Sequence, residues 1–490
     1  MRISTSLHPR SLLAAASLAL AALAGCTVGP NYQRPATPPA PAAYKETPPP
    51  NPPGGDWKQA APSDAIARGK WWEIYGDTQL NGLEEKVAVS NQTLKAAYEQ
   101  YQQAREQVRV ARAAYYPTLS AGPSVSRTRE SYHTPNTQPG TTNYQYNTLA
   151  IEGQASWEPD LWGQVRRTVE EQRANAQASA ADLANTELSL RSELATDYFE
   201  LRGLDSQKRL LDNTVSTDTD YLHLTQVRFK GGVATDVDVA QAQTQLDTVK
   251  AQDIDIGVAR SQYEHAIATL VGVSASNFSL PFSPLDLTLP VIPPGVPSEL
   301  LERRPDISAA ERRTDSANAQ IGIAISAYYP TIQLGGTGGF ESTRPGNWLQ
   351  GPSALWSLGG SATELLFDAG RRHALTNQAR DAYEQQTANY RQTVLTAFQE
   401  VEDNLAALRV LNDESNAQAR AVDSARHSLA LSTNRYKGGV TTYLEVLTAQ
   451  TTQLSNERTQ ADIVTRQFTA SVGLIKAIGG GWNTSQLPSF

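Results

Sequence analysis

Few side chains in this sequence have the types and spacings that catalysis or metal binding requires. The 490 residues include a single cysteine, Cys26, so neither a disulfide framework nor a thiolate metal site can form within the chain. The six histidines are scattered without metal-ligand spacing: His8, His133, His223, His265, His373 and His427. No glycine-rich phosphate loop follows a strand pattern, and no serine-nucleophile motif is present. We therefore predict that the protein is not an enzyme and that it holds no cofactor and no metal.

Cys26 is the one residue with a visible chemical use, and it ends a secretory signal. Arg2 and Arg10 precede or flank an apolar run, residues 12–23, that is too short to span a membrane as a helix. The sequence LAGC (23–26) resembles the bacterial lipobox, which implies cleavage before Cys26 and acylation of its thiol. Thr27 follows in place of the aspartate that retains such lipoproteins in the inner membrane, so the resemblance implies the outer membrane. We expect a signal peptide at 1–25 and a lipid-anchored, proline-rich tether at 26–60.

The charge balance excludes one class of partner. Removal of residues 1–25 takes away two arginines and no acid, which moves the formal charge from −8 to −10. Such an acidic chain does not suit nucleic acid. No later segment is apolar for long enough to cross a membrane as a helix. An export signal without a spanning helix leaves a periplasmic lipoprotein or an outer-membrane β-protein.

Two nearly identical words, RFKGGV (228–233) and RYKGGV (435–440), interrupt long helical patterns. A glycine pair permits the left-handed conformation that ends a helix, and a basic residue suits the negative end of the helix dipole. A return helix begins after each word, at 236–239 and at 443–446. Each half of the chain is therefore predicted to form a helical hairpin whose tip lies at the glycines.

The helices that carry these tips are predicted to be unusually long. No proline occurs between Pro159 and Pro281 or between Pro352 and Pro488. Apolar residues recur at heptad spacing, which predicts coiled-coil seams: Leu183, Leu190, Leu194, Leu201, Leu204, Leu211 and Val215, then Val394, Phe398, Val401, Leu405 and Leu408. A run of about 60 residues would reach roughly 90 Å. A further helical pattern begins at Trp71.

Opposite the tips, each half contains a predicted β-hairpin, at 115–157 and at 328–367. Both open with the word AYYPT, at 114–118 and at 327–331. Apolar and polar residues then alternate with the period of a strand. The apolar set is Leu119, Ala121, Val125, Leu149, Ile151, Ala155, Trp157, Ile332, Leu334 and Phe340. The set assigned to the wet face includes Ser120, Ser124, Ser126, Thr128, Gln145, Asn147, Gln154, Thr331, Gln333, Thr337 and Glu341. Each run has about the ten residues that a tilted strand needs to cross a bilayer, although two ordinary half-buried hairpins would give the same pattern.

The number of strands constrains the assembly. Four strands cannot close a barrel, and an open edge in lipid would leave several kcal/mol of unmet hydrogen bonding for each backbone group. If the hairpins enter a membrane, the protein must therefore be an oligomer. A dimer would give eight strands with a filled interior, whereas a trimer would give twelve strands and room for water. A pore favours the trimer.

These residues resemble the TolC-like outer membrane factors, in the lipoprotein (NodT-type) branch that serves tripartite efflux pumps. The matching motifs run in order over almost the whole mature chain: LAGCTVGPNY (23–32), WW (71–72) with Asp77 and Leu80, WEPDLWG (157–163), LERRPDI (301–307), YP (329–330), FDAGRR (367–372) and the two GGV tips (231–233 and 438–440). The resemblance implies an α+β fold built from two internal repeats. Three subunits would form one twelve-stranded outer-membrane β-barrel, continued by an α-helical coiled-coil barrel across the periplasm.

The resemblance also implies the roles of particular residues. The tips would close the tunnel at rest and meet a periplasmic adaptor protein, with contacts centred on Gly231, Gly232, Val233, Gly438, Gly439 and Val440. The inner constriction would fall near Asp238 and Glu445, where three subunits crowd negative charge. Thr448 stands where many relatives have an aspartate, which leaves the gate's charge and any divalent-cation block open. Which of Arg228, Lys230, Arg435 and Lys437 hold a closed tip is also left open.

Three hypotheses follow. The favoured one is a passive trimeric exit duct for small molecules, served by an adaptor and, indirectly, an inner-membrane transporter. The alternatives are a duct for type I protein secretion and a periplasmic coiled-coil scaffold without a pore. The predicted organisation is a first repeat at 61–280, a linker at 281–300, a second repeat at 301–480 and a tail at 481–490.

Overall fold

The computed structural model describes residues 27–46, 69–129, 131, 145–293 and 297–490. A 3-10 turn (Trp71–Tyr75) precedes the first helix, and one helical turn (Leu300–Arg303) precedes the second repeat. The other main elements, in chain order, are α1 (Thr78–Ser90), α2 (Gln92–Ala113), β1 (Thr118–Arg129), β2 (Gln145–Trp157), α3 (Gln164–Lys230), α4 (Asp236–Leu270), α5 (Pro305–Ser326), β3 (Thr331–Ser342), β4 (Ala354–Thr363), α6 (Arg371–Lys437) and α7 (Tyr443–Ala477).

The two halves of the chain repeat one pattern with matched helix lengths. The long helices α3 and α6 have 67 residues each, and the return helices α4 and α7 have 35 each. The helices that lead into the hairpins, α2 and α5, have 22 each. At 1.5 Å per residue, α3 and α6 are each about 100 Å long. The predicted repeat of helix, hairpin and long helical hairpin is confirmed.

The heptad residues form the predicted seams. Leu194, Leu201 and Leu211 of α3 are fully buried, as are Val394 and Val401 of α6. Helix α3 packs on α4 and α7, and α6 packs on α7. The α3 and α7 backbones approach closely at Gly203, where a Cβ atom would collide with the side chain of Thr465. The seams therefore join the two repeats as well as the arms of each hairpin.

Within each repeat the shorter helices meet end to end beside the long one. The Asn91 side chain at the start of α2 donates to the Leu270 carbonyl at the end of α4 (2.8 Å). At the matching place, Arg304 at the start of α5 donates to the Ala477 carbonyl at the end of α7 (3.0 Å). Each contact satisfies a terminal carbonyl that the helix itself leaves free. In each repeat, the helix that leads into the hairpin (α2 or α5) therefore meets the end of the return helix (α4 or α7). We call each of these meeting points a joint.

The prediction of one helix beginning at Trp71 was wrong in two respects. Residues Trp71–Tyr75 form a 3-10 turn, and the α-helical pattern is broken at Asn91, whose extended backbone (φ −68°, ψ 122°) ends α1 and caps α2. The turn is held by packing, because Trp71 and Trp72 are 3% and 2% exposed. They join an apolar core where the ring centroids of Tyr75 and Phe199 lie 4.8 Å apart. Helical periodicity alone did not distinguish the two helix types.

The four strands form one antiparallel sheet in the order β1-β2-β3-β4. Pairing is continuous, with Leu119 opposite Ala155, Ile151 opposite Phe340, and Leu334 opposite Gly360. The outer edges of β1 and β4 have no partner strand in the described part of the protomer. The sheet is therefore open on both sides.

The register places most of the large apolar residues of the four strands on one face of the sheet, Leu355 being an exception. That face carries Leu119, Val125, Leu149, Ile151, Trp157, Ile332, Leu334, Phe340, Trp356 and Leu358. The other face carries mainly serine, threonine, glycine and glutamine. None of the described residues covers the apolar face, since Leu119, Trp356 and Leu358 are 80%, 78% and 79% exposed. Gly336 leaves room there for the side chain of Leu358.

One part of the strand prediction was wrong. Gln145 and Asn147 were assigned to the wet face, yet they lie on the same face as Leu149, because strand positions two apart share a face. They pair with Arg129 and Arg127 of β1, also on that face. The apolar face therefore has a polar band at the loop end of the β1–β2 hairpin.

The described part of the predicted tether, residues 27–46, is extended and packs along the helices. Arg167 of α3, 2% exposed, donates to the carbonyls of Val28 and Gly29 (both 3.2 Å). Farther along, Tyr32 donates to Glu311, and Glu402 accepts the backbone N–H groups of Lys45 and Glu46 at 2.7 and 2.9 Å. We call residues 27–46 the strap. It is fixed along α3, α5 and α6.

Among the described residues, no helix is both long enough and apolar enough to cross a membrane.

Candidate functional site

The two glycine words form the same turn at the ends of α3 and α6. Gly232 and Gly439 have φ values of +76° and +73°, in the left-handed region. The Val233 N–H bonds to the Arg228 carbonyl and the Gly232 N–H to the Phe229 carbonyl, both at 2.9 Å. Val440 and Gly439 make the equivalent bonds to Arg435 and Tyr436. This is the Schellman pattern, which satisfies the last helical carbonyls in a short turn.

Both tips expose apolar side chains. In the first tip Val227, Phe229, Val233 and Val237 are 45–67% exposed, and in the second Val440 and Leu444 are 72% and 53% exposed. The structure brings the tips together, because Arg228 Nη1 donates to the Lys437 carbonyl at 3.3 Å. The six predicted docking residues therefore lie at one end of the molecule, opposite the sheet.

The two acids predicted at the constriction lie in equivalent positions and make different local contacts. Asp238 belongs to a capping box: its carboxylate accepts the Thr235 N–H and hydroxyl, both at 2.8 Å. Glu445 instead pairs with Arg435 at 3.3 Å, across the second turn. Asp238 therefore helps to start α4, whereas Glu445 links the two arms of its own hairpin.

Glu445 begins an exposed polar stripe on α7. Thr448 and Thr452 follow on the same helix face, and all three line a groove against α6. The opposite face of α7, with Tyr443 and Val446, is fully buried. Thr448 donates its hydroxyl to the Leu444 carbonyl at 2.9 Å, so the position is uncharged and locally satisfied.

The structure gives contacts to two of the four basic residues whose roles were left open. Arg228 crosses between the tips, with its guanidinium 4.7 Å from the centre of the Tyr436 ring. Such a cation–π contact contributes about 0.5–1 kcal/mol at a partly exposed site. Arg435 makes the pair with Glu445. Both are contacts within one subunit that hold a tip in place.

Sequence reasoning missed the polar cluster behind the tips. Tyr221 hydrogen-bonds Thr433 at 2.8 Å, and the rings of Tyr436 and Tyr443 meet edge to face at 5.7 Å. Deeper in the seam, Gln450 Nε2 donates to Asp218 Oδ1 at 3.0 Å. Asp218 stands between Val215 and Leu222 in the heptad series, so an acid at a seam position was the signal that could have revealed it.

Cys26, the predicted acylation site, lies outside the described residues. The strap next to it is fixed, because the Val28 N–H bonds to the Trp162 carbonyl at 3.2 Å. The Trp162 indole donates in turn to the Pro330 carbonyl at 2.8 Å, immediately before β3. The strap therefore begins at the end of the sheet where the strands join the helices.

Within the part of the chain that the structure describes, no group of three or more His, Cys, Asp or Glu side chains is arranged to hold a metal ion.

Comparison with known proteins identifies relatives over nearly the whole length. The family model described as "Outer membrane efflux protein" matches residues 83–273 and 296–480. The toluene efflux pump outer membrane protein TtgC of Pseudomonas putida is 31% identical over 482 residues, which cover 96% of each chain. The antibiotic efflux pump outer membrane protein ArpC of Pseudomonas putida shows the same identity and coverage.

A solved structure with a similar fold is also that of an outer-membrane channel. The outer-membrane channel OprN superposes with a TM-score of 0.83 and 29% identity, covering 93% of this chain and 100% of that one. The matched proteins are outer membrane efflux channels, which supports the exit duct over the secretion duct and the scaffold.

Proposed function

We propose that three copies of this chain, which belongs to the outer membrane efflux protein family, assemble into a gated exit duct. The chain is the outer membrane channel component of an efflux system and has the TolC-like channel fold, extending into the periplasm. The trimer, the gate residues, the docking residues and the lipid anchor are the finer parts of the proposal.

The two open edges of the sheet, together with its apolar face, are the observation that carries the trimer. In a membrane, the free edges of β1 and β4 can be satisfied only by pairing with other copies. Three four-stranded sheets joined edge to edge give twelve strands, enough to leave a water-filled bore. The apolar face would then contact lipid, and the serine- and threonine-rich face would line the bore.

Glu445 and Asp238 are the proposed gate residues at the inner constriction. Glu445 is exposed on the α7 face opposite the buried seam, where three copies would converge near the axis. Three carboxylates in a narrow channel repel one another, so the closed tip needs other contacts. The Arg435–Glu445 pair and the Arg228 contact with Lys437 and Tyr436 supply such contacts within each subunit.

The tips are the proposed docking surface for a periplasmic adaptor, through which an inner-membrane transporter would be served. The exposed valines beside Gly232 and Gly439 offer apolar contacts on rigid turns, and Lys230 and Lys437 add charge. Because both tips lie at the end opposite the sheet, an adaptor could contact both at once.

Acylation of Cys26 is the proposed anchor. The strap holds Val28 beside Trp162, at the end of the sheet where the strands meet the helices. A lipid on Cys26 would therefore enter the membrane beside the foot of the barrel.

The proposed cargo is a range of small organic molecules. TtgC is named as a toluene efflux pump protein and ArpC as an antibiotic efflux pump protein. This chain matches both over nearly its full length. A wide duct need not select its cargo, because selection can fall to the inner-membrane pump.

The test is planar-bilayer conductance of the purified protein, with the subunit number measured by mass on the same sample. We expect trimers that conduct weakly and that open more often in Arg435→Gln, because this change removes the ion pair and leaves the three carboxylates to repel one another. Glu445→Gln should weaken cation preference, whereas Arg435→Gln should preserve it. Asp413→Asn, an exposed acid on α6, is the matched control and should change neither property. A monomeric sample without conductance would contradict the duct and favour the scaffold hypothesis.

A further inference from the structure

A carboxyl group is buried where three helices of the two repeats meet. Asp218 of α3 is 1% exposed. Gln450 of α7 donates to its Oδ1 atom at 3.0 Å, and Gln245 of α4 approaches closely enough to favour the charged form. The Oδ2 atom has no hydrogen-bond partner in the described part of the chain. Asp218 is therefore only partly satisfied.

The groups that face Asp218 are neutral. From α7, Tyr443 and Gln450 face it, and Tyr443 itself is fully buried and donates to Gln450 Oε1 at 3.4 Å. From α4, Gln245 is an amide, and from α6 Tyr436 packs on Tyr443. No salt bridge among the described residues involves Asp218.

Burial makes the ionised form of this carboxyl unfavourable. Loss of hydration raises the pKa of Asp218 to about 6, and the neighbouring Gln245 and Gln450 amides lower it only in part. The charge of Asp218 therefore changes within the pH range that the periplasm, which lies outside the inner membrane, experiences. Ionisation would favour any rearrangement that lets water reach the carboxylate.

Such a rearrangement has a route in the structure. Gln245 also lines an open groove of about 490 Å³ between α4 and α7. A small separation of these helices from α3 would admit water from this groove to Asp218. The same separation would disturb the Tyr443 and Tyr436 packing and, through Arg228, the contact between the tips.

We propose that Asp218 is an acid-sensitive latch of the periplasmic end: its neutral form holds α4 and α7 on α3 and keeps the tips closed, and its ionised form favours opening. This rests on the proposed gated duct. By linkage, a group that is buried in the closed state and hydrated in the open state releases its proton on opening. Low pH should therefore close the duct, and rising pH should release it.

Conductance of the full trimer between about pH 4 and pH 8 tests the latch. The wild-type open probability should rise with pH from about 4, the pKa of a hydrated aspartate, and level off above about 6, the pKa of buried Asp218; the midpoint of this rise is what the variants shift. Asp218→Asn, which cannot ionise, should remain in the closed state across this range. Gln450→Ala removes a bond that favours the carboxylate and should move the midpoint to higher pH. Asp220→Asn, an exposed acid on the same helix, should leave the midpoint unchanged.

Hydrogen exchange of the 221–240 and 433–450 segments provides a readout that needs no pore. Exchange in the wild type should accelerate from about pH 5 to pH 8 beyond the intrinsic chemical increase, and this excess should vanish in Asp218→Asn. A midpoint that is unchanged in both Asp218→Asn and Gln450→Ala would overturn the latch while leaving the duct intact. Loss of conductance at every pH, with the exchange difference retained, would overturn the duct and support the latch. If Asp218→Asn fails to assemble, the direction of the Gln450→Ala shift decides.

Discussion

At the residue scale, Asn91 and Arg304 occupy the same place in the two repeats and use different chemistry. Each begins the helix that leads into a β-hairpin, and each donates a hydrogen bond to a carbonyl at the end of the return helix of its own repeat, α4 or α7. Asn91 is neutral and also caps α2 through the Leu94 N–H at 2.8 Å. Arg304 is charged and binds Asp306 and Glu400, each at 2.6 Å. The LERRPDI segment (301–307) therefore has a structural role, because its Arg304 binds the end of α7.

The Arg304 joint should be essential for stability. Arg304 is 7% exposed, so its removal takes a buried donor away from Asp306, Glu400 and the Ala477 carbonyl. We expect Arg304→Ala to lower the free energy of unfolding by about 3 kcal/mol. Arg304→Lys should recover part of this loss, because it keeps the charge but cannot form the paired bonds. Thermal dissociation of the detergent-solubilised trimer measures the effect, and an unchanged transition in Arg304→Ala would contradict the assigned role.

At the element scale, each tip contains one glycine that needs a left-handed backbone and one glycine that does not. Gly232 and Gly439 have positive φ values, whereas Gly231 and Gly438 have φ values of −80° and −75°. A Cβ atom at Gly231 or Gly438 would meet only ordinary contacts of 3.5 and 3.4 Å. The chain therefore contains its own matched controls for the turn.

Substitution at the left-handed positions should impair docking. A side chain at φ near +75° costs about 1–2 kcal/mol, and a β-branched one costs more. We expect Gly232→Val and Gly439→Val to abolish efflux in a drug-susceptibility assay while the amount of trimer stays normal. Gly231→Ala and Gly438→Ala should retain efflux. Loss of the trimer in the valine variants would show that the turns serve folding instead of docking.

At the scale of the whole molecule, several buried acids make stability depend on pH in an unusual direction. Burial raises the pKa values of Asp197, Asp218 and Asp315 to about 6. Their values in an unfolded chain are about 3.9, so the folded protein binds more protons between these limits. These three groups therefore contribute stability at low pH, which is lost as pH rises through about 6.

The expected result is a trimer that dissociates at a higher temperature at about pH 5 than at about pH 7.5. Replacement of all three aspartates by asparagine should remove most of the difference, because the amides do not titrate. Scanning calorimetry in detergent at matched ionic strength gives the comparison. A dissociation temperature that rises with pH in the wild type would show that other carboxylates dominate.

Local sequence determined much of this protein. The Gly-Gly-Val words set the turns, the heptads set the seams, and the absence of proline permitted helices of 67 residues. These features act between residues close in sequence, so one chain is enough to predict them. Strand alternation likewise predicted one apolar face, except where Gln145 and Asn147 were assigned to the wrong side.

Tertiary structure alone decided the features that depend on distant residues. The joint between Arg304 and Ala477, the strap bound to Arg167, and the Asp218–Gln450 contact each join positions more than a hundred residues apart. No local period encodes which helix faces another or which carboxyl loses its water. The sequence by itself therefore determined the elements, their repeat and the local contacts of Asp238 and Glu445 at the tips, whereas packing decided that Asp218 is buried beside Gln450, because desolvation depends on what the other half of the chain places nearby.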